Sequence, residues 1–402
     1  MNKKIIVGVL ILLPLAALGV IWWLGGNNSS SPSANSPEDE TVSDAFPIDS
    51  SGNIAEPEAF APTPIIGDST EPISDDNSRP QQLISGPISG FTAMGQQIFY
   101  QESATGHVYT LNPDGQPERL SNFTLPGIQQ TVWQTTSNEL RLFMRQHTET
   151  GTSAWLAAWP LDRNEAAREP VRLGNNVTNW TFAGDKAFFL QSGTTGTEGV
   201  ATKWPADQND GQTLFSSPLD DWLVDWPTEK IIALTTKPAS NLNGFLYFLN
   251  PTTKELRPIL RNIRGLETLI SPDGEKIIYS QNSGQGPVTY IYDLKKQTTS
   301  VLAIATIPPK CRWQNNSAGL ICAVPDRWPL GDWHRGDLTT SDQVWSVDAI
   351  TGASDLLSLP TATSNLDMID LLISTDGQKL FFRHRADLSL WSLPLKAPSS
   401  AS

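Results

Sequence analysis

A repeat of about 45 residues, made of short strands alone, constrains this sequence of 402 residues more than any other feature. Its clearest copy is ISPDGEKIIYS, residues 270–280, where Pro272 and Gly274 predict a tight turn between two strands. The hairpin returns as ISTDGQKLFFR, residues 373–383. Seven return strands align, and their central residues are Phe99, Phe143, Phe188, Ile232, Ile278, Ile321 and Phe381. The steps between them run from 43 to 46 residues, with a last step of 60. Such a period predicts the blades of a β-propeller.

A second series of aromatic residues has the same period. Downstream of each return strand comes another strand with an aromatic residue before its end: Tyr109, Trp159, Trp204, Tyr247, Tyr292, Trp345 and Trp391. Upstream, a first strand is centred on Phe91, Trp133, Trp180, Val224, Ile270, Trp313 and Ile373. We interpret these side chains as packing between blades and not as a cofactor site.

The chain begins with Lys3 and Lys4, followed by an apolar run from Ile5 to Leu24. Twenty such residues can span a bilayer, and the two lysines favour a cytoplasmic N-terminus. The sequence therefore predicts a single-pass signal-anchor helix over residues 1–25, with the rest of the chain outside the cytoplasm. A cleaved signal peptide is the alternative.

Residues 26–78 are rich in Ser, Pro, Asp and Glu and predict a disordered acidic tether. Residues 25–80 hold eleven acidic residues and one basic residue, Arg79, so they carry −10 of the chain's net charge of −14. This balance argues against nucleic acid as a partner. We expect the protein to contact the membrane through its N-terminal helix.

The propeller domain is predicted over residues 79–397, with four strands in each blade. The last blade lacks a fourth strand, because the chain ends soon after Trp391. The segment RPQQLIS, residues 79–85, resembles the fourth strands found elsewhere, such as QPERLS at residues 116–121. We therefore expect residues 79–85 to complete the last blade and to close the ring, which removes an open sheet edge.

The two hairpins SPDGEKIIYS and STDGQKLFFR resemble the WD-repeat-like β-propeller repeats of the TolB family, in which a Ser-Pro-Asp-Gly turn precedes a Lys and an apolar strand. The resemblance covers two blades well and five loosely. It implies a protein-binding module of the bacterial envelope. This chain has an apolar run and a tether where TolB carries an α/β domain.

Four histidines map to the loops between second and third strands of blades 1, 2, 6 and 7. They are His107, His147, His334 and His384. Polar strand-end loops, a metal or acid–base site and a recognition surface are all compatible with this pattern. The sequence contains none of the common nucleophile, phosphate-loop or metal-binding motifs, and we predict no catalytic residue, metal or cofactor.

The step of 60 residues is caused by an insertion in the sixth blade, PDRWPLGDWHRGDLTTSD, residues 325–342. Trp328 and Trp333 either fold back as a local plug or form an aromatic anchor for a partner, with Arg327 and Arg335 beside them. Trp and Arg are frequent in binding hot spots. The predicted binding residues are Arg327, Trp328, Trp333, His334, Arg335, His147 and His384.

The two cysteines, Cys311 and Cys322, lie in one hairpin, where a loop over residues 315–318 places them opposite each other. An exported domain permits a disulfide, which we expect here, and two buried thiols are the alternative.

The sequence therefore predicts an all-β protein, a seven-bladed propeller of four-stranded antiparallel blades preceded by one transmembrane helix and a tether. Its predicted function is to bind or scaffold a protein partner in the cell envelope of a bacterium. The alternative is a glycan-acting or metal-dependent enzyme that uses the histidine-bearing face. Carboxylates clustered with two or more histidines would favour the enzyme, and an exposed apolar patch on that face would favour binding.

Overall fold

The computed structural model describes residues 79–395, apart from 113–114, 150, 162–167, 175, 205–210, 329–332, 337 and 359–364. The predicted anchor and tether lie outside these residues. Across the described ranges, no helix has the length and apolar character needed to cross a membrane.

Seven four-stranded antiparallel sheets form the blades of a propeller. Blade 1 contains β2 (Ile88–Met94), β3 (Gln97–Glu102), β4 (Val108–Leu111) and β5 (Pro117–Arg119). Blade 2 contains β6 (Ile128–Thr135), β7 (Glu139–Thr148), β8 (Gly151–Pro160) and β9 (Arg168–Gly174). Blade 3 contains β10 (Val177–Ala183), β11 (Lys186–Gly193), β12 (Gly196–Lys203) and β13 (Gln212–Ser217). Blade 4 contains β14 (Trp222–Thr228), β15 (Ile231–Thr236), β16 (Asn243–Leu249) and β17 (Leu256–Arg264).

The remaining blades follow the same order. Blade 5 contains β18 (Glu267–Ile270), β19 (Lys276–Asn282), β20 (Pro287–Asp293) and β21 (Thr298–Val301). Blade 6 contains β22 (Cys311–Trp313), β23 (Gly319–Pro325), β24 (Asp342–Asp348) and β25 (Ser354–Ser358). Blade 7 contains β26 (Met368–Ile373), β27 (Lys379–His384), β28 (Leu390–Pro394) and β1 (Gln81–Ile84). Two short 3-10 helices, Pro308–Lys310 and Trp333–Arg335, flank and interrupt blade 6.

The ring closes where β1 pairs with β28. Gln82 lies opposite Trp391, and the two strands run antiparallel. The first strand in the described chain thus supplies the outer strand of the last blade. This is the strand that the sequence predicted would complete that blade. It spans four residues, fewer than the segment 79–85 from which it was expected.

The repeated hairpin is held by its own side chains. Ser271 Oγ donates to Asp273 Oδ1 at 2.6 Å and accepts the Lys276 N–H at 2.9 Å. Gly274 has a φ of 72°, a conformation that glycine adopts without strain. The Ser374 turn in blade 7 repeats these bonds. Local chemistry therefore fixes both turns.

The core is divided into apolar clusters, each made by two neighbouring blades. Phe143 of blade 2 stacks on Trp180 of blade 3 with ring centroids 4.0 Å apart. This confirms the interpretation of the repeated aromatic residues as packing between blades. One boundary was wrong, because Trp204 follows β12 and does not lie within it.

Cys311 and Cys322 form a disulfide. They face each other directly in β22 and β23, with their Cα atoms 4.1 Å apart. The short loop that the sequence placed between these strands thus aligns the two cysteines. The prediction of a disulfide is confirmed.

Candidate functional site

The insertion lies on one end of the propeller, which we call the insertion face. This face is formed by the loops between second and third strands, such as residues 237–242 and 283–286 and the described residues 326–328, 333–336 and 338–341 of the insertion, and by the connections between blades, such as residues 218–221. It is the face on which the sequence placed the histidines. The candidate site lies here, beside blades 4 and 5.

Trp333 anchors the insertion to blade 7. Its indole N–H donates to Asp367 Oδ2 at 3.1 Å, and the Arg385 guanidinium stacks 3.9 Å from the ring centroid. Arg385 also donates to the carbonyl oxygen of Leu338 at 2.6 Å. These contacts hold the loop on the propeller.

Beneath Trp333 lies a buried cluster of charged residues. Lys310 Nζ contacts Asp342 Oδ2 at 2.5 Å and Asp367 Oδ1 at 2.6 Å, and it donates to Thr340 Oγ1 at 3.0 Å. The side chains of Lys310, Asp342 and Asp367 are fully buried. Because each hydrogen of the ammonium group has an acceptor, the charge is compensated without water. We call these three residues the ion cluster.

The two carboxylates of the ion cluster differ in acidity. Burial raises the pKa of Asp342, and this effect exceeds the opposing effect of Lys310. Burial also acts to raise the pKa of Asp367, but the Lys310 ammonium and hydrogen bonds from Lys310, Trp333 and the Thr340 N–H outweigh it and lower that pKa. Asp367 is therefore the carboxylate that stays ionised at mildly acidic pH.

A cavity of about 600 Å³ opens next to the insertion. Residues 238–241 of blade 4 form one wall, residues 284–287 of blade 5 form a second, and Trp328 with residues 333–335 of the insertion forms a third. Glu267 and Ile307 also line it. We call this cavity the insertion pocket. Its volume is typical of pockets that bind small molecules or short peptide segments.

Trp328, in the insertion, lies against blade 5. Its indole N–H donates to the carbonyl oxygen of Ala305 at 2.8 Å. A Cβ atom on Gly286 would lie 3.4 Å from the Cβ of Trp328, so the blade 5 loop lies directly against it. Trp328 is half-buried and forms part of the third wall.

Two arginines line the insertion pocket. Arg264, at the end of β17, donates to Ser240 O at 3.2 Å and to Asn241 Oδ1 at 2.9 Å, which are both neutral acceptors. Arg335 is exposed, and the described chain provides its guanidinium with no carboxylate partner. Glu267 is the acidic residue among the described residues of the lining, and its Oε1 lies 2.9 Å from His334 Nε2. These described residues therefore carry more positive than negative charge.

Exposed leucines lie beside the pocket on the insertion face. Leu242, in the loop that forms the first wall, is 68% exposed, and Leu219, in the connection to blade 4, is 56% exposed. Ile350 lies on the opposite face, Leu223 lies on the first strand of blade 4, and the other exposed apolar side chains of the described residues lie on outer strands. Exposed apolar side chains, which favour binding, are thus present on the predicted face.

The structure brings four of the predicted binding residues together at the pocket: Trp328, Trp333, His334 and Arg335. Arg327 is exposed on the insertion and does not line the cavity, and neither do His147 and His384. His147 and His384 were expected after their strands but lie within β7 and β27. The strands extend further because both residues continue the backbone pairing with a neighbour.

The histidines bond to separate groups. His384 Nδ1 accepts the Asp367 N–H at 3.2 Å, and His107 Nε2 lies 3.0 Å from Thr124 Oγ1. In the ranges that the structure describes, no three His, Cys, Asp or Glu side chains are placed to share a metal ion.

Sequence analysis missed Asn241, Arg264, Glu267 and Asn282, which complete the pocket. The signal that could have found them is topological. Asn241 lies in the loop between the second and third strands of blade 4, and Asn282 adjoins that of blade 5, so both loops share a face with the insertion.

No known protein-family model matches this chain, and no curated protein sequence matches it. Several solved structures are similar. Oligogalacturonate lyase from Vibrio parahaemolyticus has a TM-score of 0.54 and 10% identity, over 82% of this chain and 96% of that chain. Hydrazine synthase from Kuenenia stuttgartiensis has a TM-score of 0.52 and 11% identity, over 78% and 97%. TolB from Acinetobacter baumannii has a TM-score of 0.41 and 16% identity, over 77% and 79%.

At these identities the likeness concerns the fold. The chain is a β-propeller, and TolB is among the solved structures that it is similar to. The function has to be argued from the insertion face itself.

Proposed function

We propose that this protein is a membrane-anchored, extracytoplasmic β-propeller that binds a protein partner of the bacterial cell envelope through its insertion face. The observation that carries the proposal is the insertion pocket, which lies where the only large departure from the repeat meets exposed leucines. An insertion that the closure of the ring does not require is a better candidate for function than a repeated position.

The chemistry of this face supports protein recognition. Tryptophan and arginine side chains line the pocket, and Leu219 and Leu242 extend an apolar surface beyond it. Aromatic and arginine residues surrounded by exposed apolar area are typical of protein-binding sites.

Two features support a place outside the cytoplasm. The disulfide between Cys311 and Cys322 is of the kind that persists in oxidising compartments. The apolar run over residues 5–24 has the length of a membrane-spanning helix. An acidic tether between the two would hold the propeller away from the membrane surface.

The proposal is tested by photo-crosslinking in intact cells. A photoreactive amino acid replaces Leu242 on the insertion face or, as a matched control, Ile350, which is 71% exposed on the opposite face. We expect a discrete protein adduct, identified by mass spectrometry, from position 242 and none from position 350. Equal adducts from both positions, or no adduct at 242, would contradict binding through this face.

A further inference from the structure

We propose that the insertion pocket recognises an extended peptide segment that presents a carboxylate next to an apolar side chain. This inference rests on the proposed function and names the chemistry of the partner. It follows from the charge, the shape and the rigidity of the pocket.

The charge of the pocket favours an anionic ligand. Glu267 is paired with His334, whereas Arg264 uses neutral acceptors and Arg335 faces no carboxylate among the described residues. Two guanidinium groups therefore remain available for a negative group of a ligand. Arginine binds carboxylates through paired hydrogen bonds, which gives direction as well as attraction.

The apolar lining favours a peptide over a free anion. Trp328, Ile307 and Pro287 line the same cavity, and its volume of about 600 Å³ exceeds the space that a single carboxylate needs. A ligand that fills it must place apolar atoms on these side chains. The exposed Leu242 at the rim would contact the residues that continue the peptide.

The walls of the pocket are held in place before any ligand arrives. Asn282 donates to Ser240 O at 3.1 Å and accepts the Gly284 N–H at 2.8 Å, so its amide connects the walls of blades 4 and 5. Ser240 O also accepts from Arg264, which positions that guanidinium. Preorganised donors lose little entropy on binding.

The net charge of the chain argues against a polyanion. The whole protein carries −14, so a nucleic acid would be repelled, whereas a peptide with one or two acidic groups meets only the local field of the pocket. An oligosaccharide with carboxylate groups is the competing anionic ligand, and the experiment below includes it.

The test uses the purified full-length chain and a phage-displayed library of random linear peptides. We expect the selected peptides to share an Asp or Glu beside Leu, Phe or Trp. The synthetic, fluorophore-labelled form of a selected peptide is then titrated by fluorescence polarisation. Arg264→Gln and Arg335→Gln should each raise Kd about tenfold, because each removes a charge-assisted hydrogen bond.

The matched control is Arg257→Gln. Arg257 is exposed on the same strand, β17, but lies at the end away from Arg264. Kd should not change in this variant. Replacing the acidic residue of the peptide with its amide should weaken binding to the wild type but cause no further loss with the Arg264→Gln, Arg335→Gln double variant.

The proposal is overturned if the selected peptides lack acidic residues, if the double variant binds as tightly as the wild type, or if an oligogalacturonate displaces the peptide and binds more tightly. If crosslinking at position 242 captures a protein while acidic peptides fail to bind, the proposed function stands and this inference fails.

Discussion

Two junctions between blades show how differently the same fold can be held together. Between blades 3 and 4, Phe188, Trp222 and Trp226 belong to one buried apolar cluster. Between blades 6 and 7, an apolar cluster is also present, but at the insertion face Lys310 is buried between Asp342 and Asp367. The first junction is stabilised by removing apolar area from water, and the second also needs exact pairing of charges.

The comparison of the two junctions shows which contacts fix the position of the insertion. At the apolar junction, any side chains of suitable volume pack acceptably, so the contact is tolerant of change. At the ion cluster, Asp367 receives bonds from Lys310, Trp333 and the Thr340 N–H, which fix the insertion in one arrangement. A wall of the insertion pocket therefore depends on a charged cluster and not on the repeat.

The largest effect is expected from Lys310→Met. This change leaves Asp342 buried without a cation and leaves Asp367 with the more distant Arg385 guanidinium, at 3.7 Å. It should lower the free energy of unfolding by about 3 to 5 kcal/mol at neutral pH. Phe188→Ala at the apolar junction should cost a similar amount, about 3 to 5 kcal/mol, through the cavity it creates. Chemical denaturation measures both.

The pH dependence separates these two variants. In Lys310→Met, the pKa of Asp342, which burial already raises, should rise further without the ammonium group, so the loss of stability should shrink as pH falls and this carboxylate becomes protonated. The loss in Phe188→Ala should not change in this way. Identical pH profiles for the two variants would show that the ion cluster is not charged.

A smaller effect is expected from Trp333→Ala, which uncovers the ion cluster. Trp333 is half-buried, and Asp367 would lose a hydrogen-bond donor, so the free energy of unfolding should fall by about 2 to 4 kcal/mol. Trp328→Ala should cost less, about 0.5 to 1.5 kcal/mol, since this side chain covers no charge and loses a hydrogen bond to a neutral acceptor, the carbonyl oxygen of Ala305. Thermal unfolding followed by circular dichroism measures the difference.

The variants Trp333→Ala and Trp328→Ala also test whether each tryptophan acts as a local plug or as an anchor for a partner. We expect Trp333→Ala to act through stability and Trp328→Ala to weaken peptide binding in a fully folded protein. If Trp333→Ala melts like the wild type, then Trp333 does not act as a plug, and the insertion is held by other contacts.

A smaller effect than that of Trp333→Ala is expected from Asp367→Asn. Lys310 keeps Asp342 as a partner, so the loss at neutral pH should be about 1.5 to 3 kcal/mol, the range for a hydrogen bond to a charged group. The lowered pKa of Asp367 means that its contribution is present above the pKa of an unfolded Asp, about 3.9, and is lost as pH falls through the folded value.

Stability of the Asn variant should therefore fall less steeply with acid than that of the wild type. Denaturation midpoints between neutral and acidic pH measure both slopes. Asp342→Asn is the control, because burial raises the pKa of Asp342 and its ionisation does not stabilise the fold as pH rises. An unchanged acid slope in Asp367→Asn would contradict the lowered pKa.

The sequence by itself determined the blades. Each turn is made by residues close together, such as Ser271, Asp273 and Gly274, and each strand carries its aromatic or apolar residue at the same place in the period. The disulfide was predictable for the same reason, because a short hairpin places Cys311 opposite Cys322. Contacts of this kind depend on local geometry, which a repeat displays many times.

Only the tertiary structure decided the ion cluster and the insertion pocket. Lys310 and Asp367 are 57 residues apart in the sequence. Neither belongs to the repeated pattern of the blades, so the period does not mark them as partners. The sequence was compatible with Trp333 as a plug or as an anchor, and its bond to Asp367 is visible only in the tertiary structure. The pocket is formed by loops from blades 4, 5 and 6 at one end of the ring. The distances between these loops are set by the geometry of the ring and not by the sequence of any one loop.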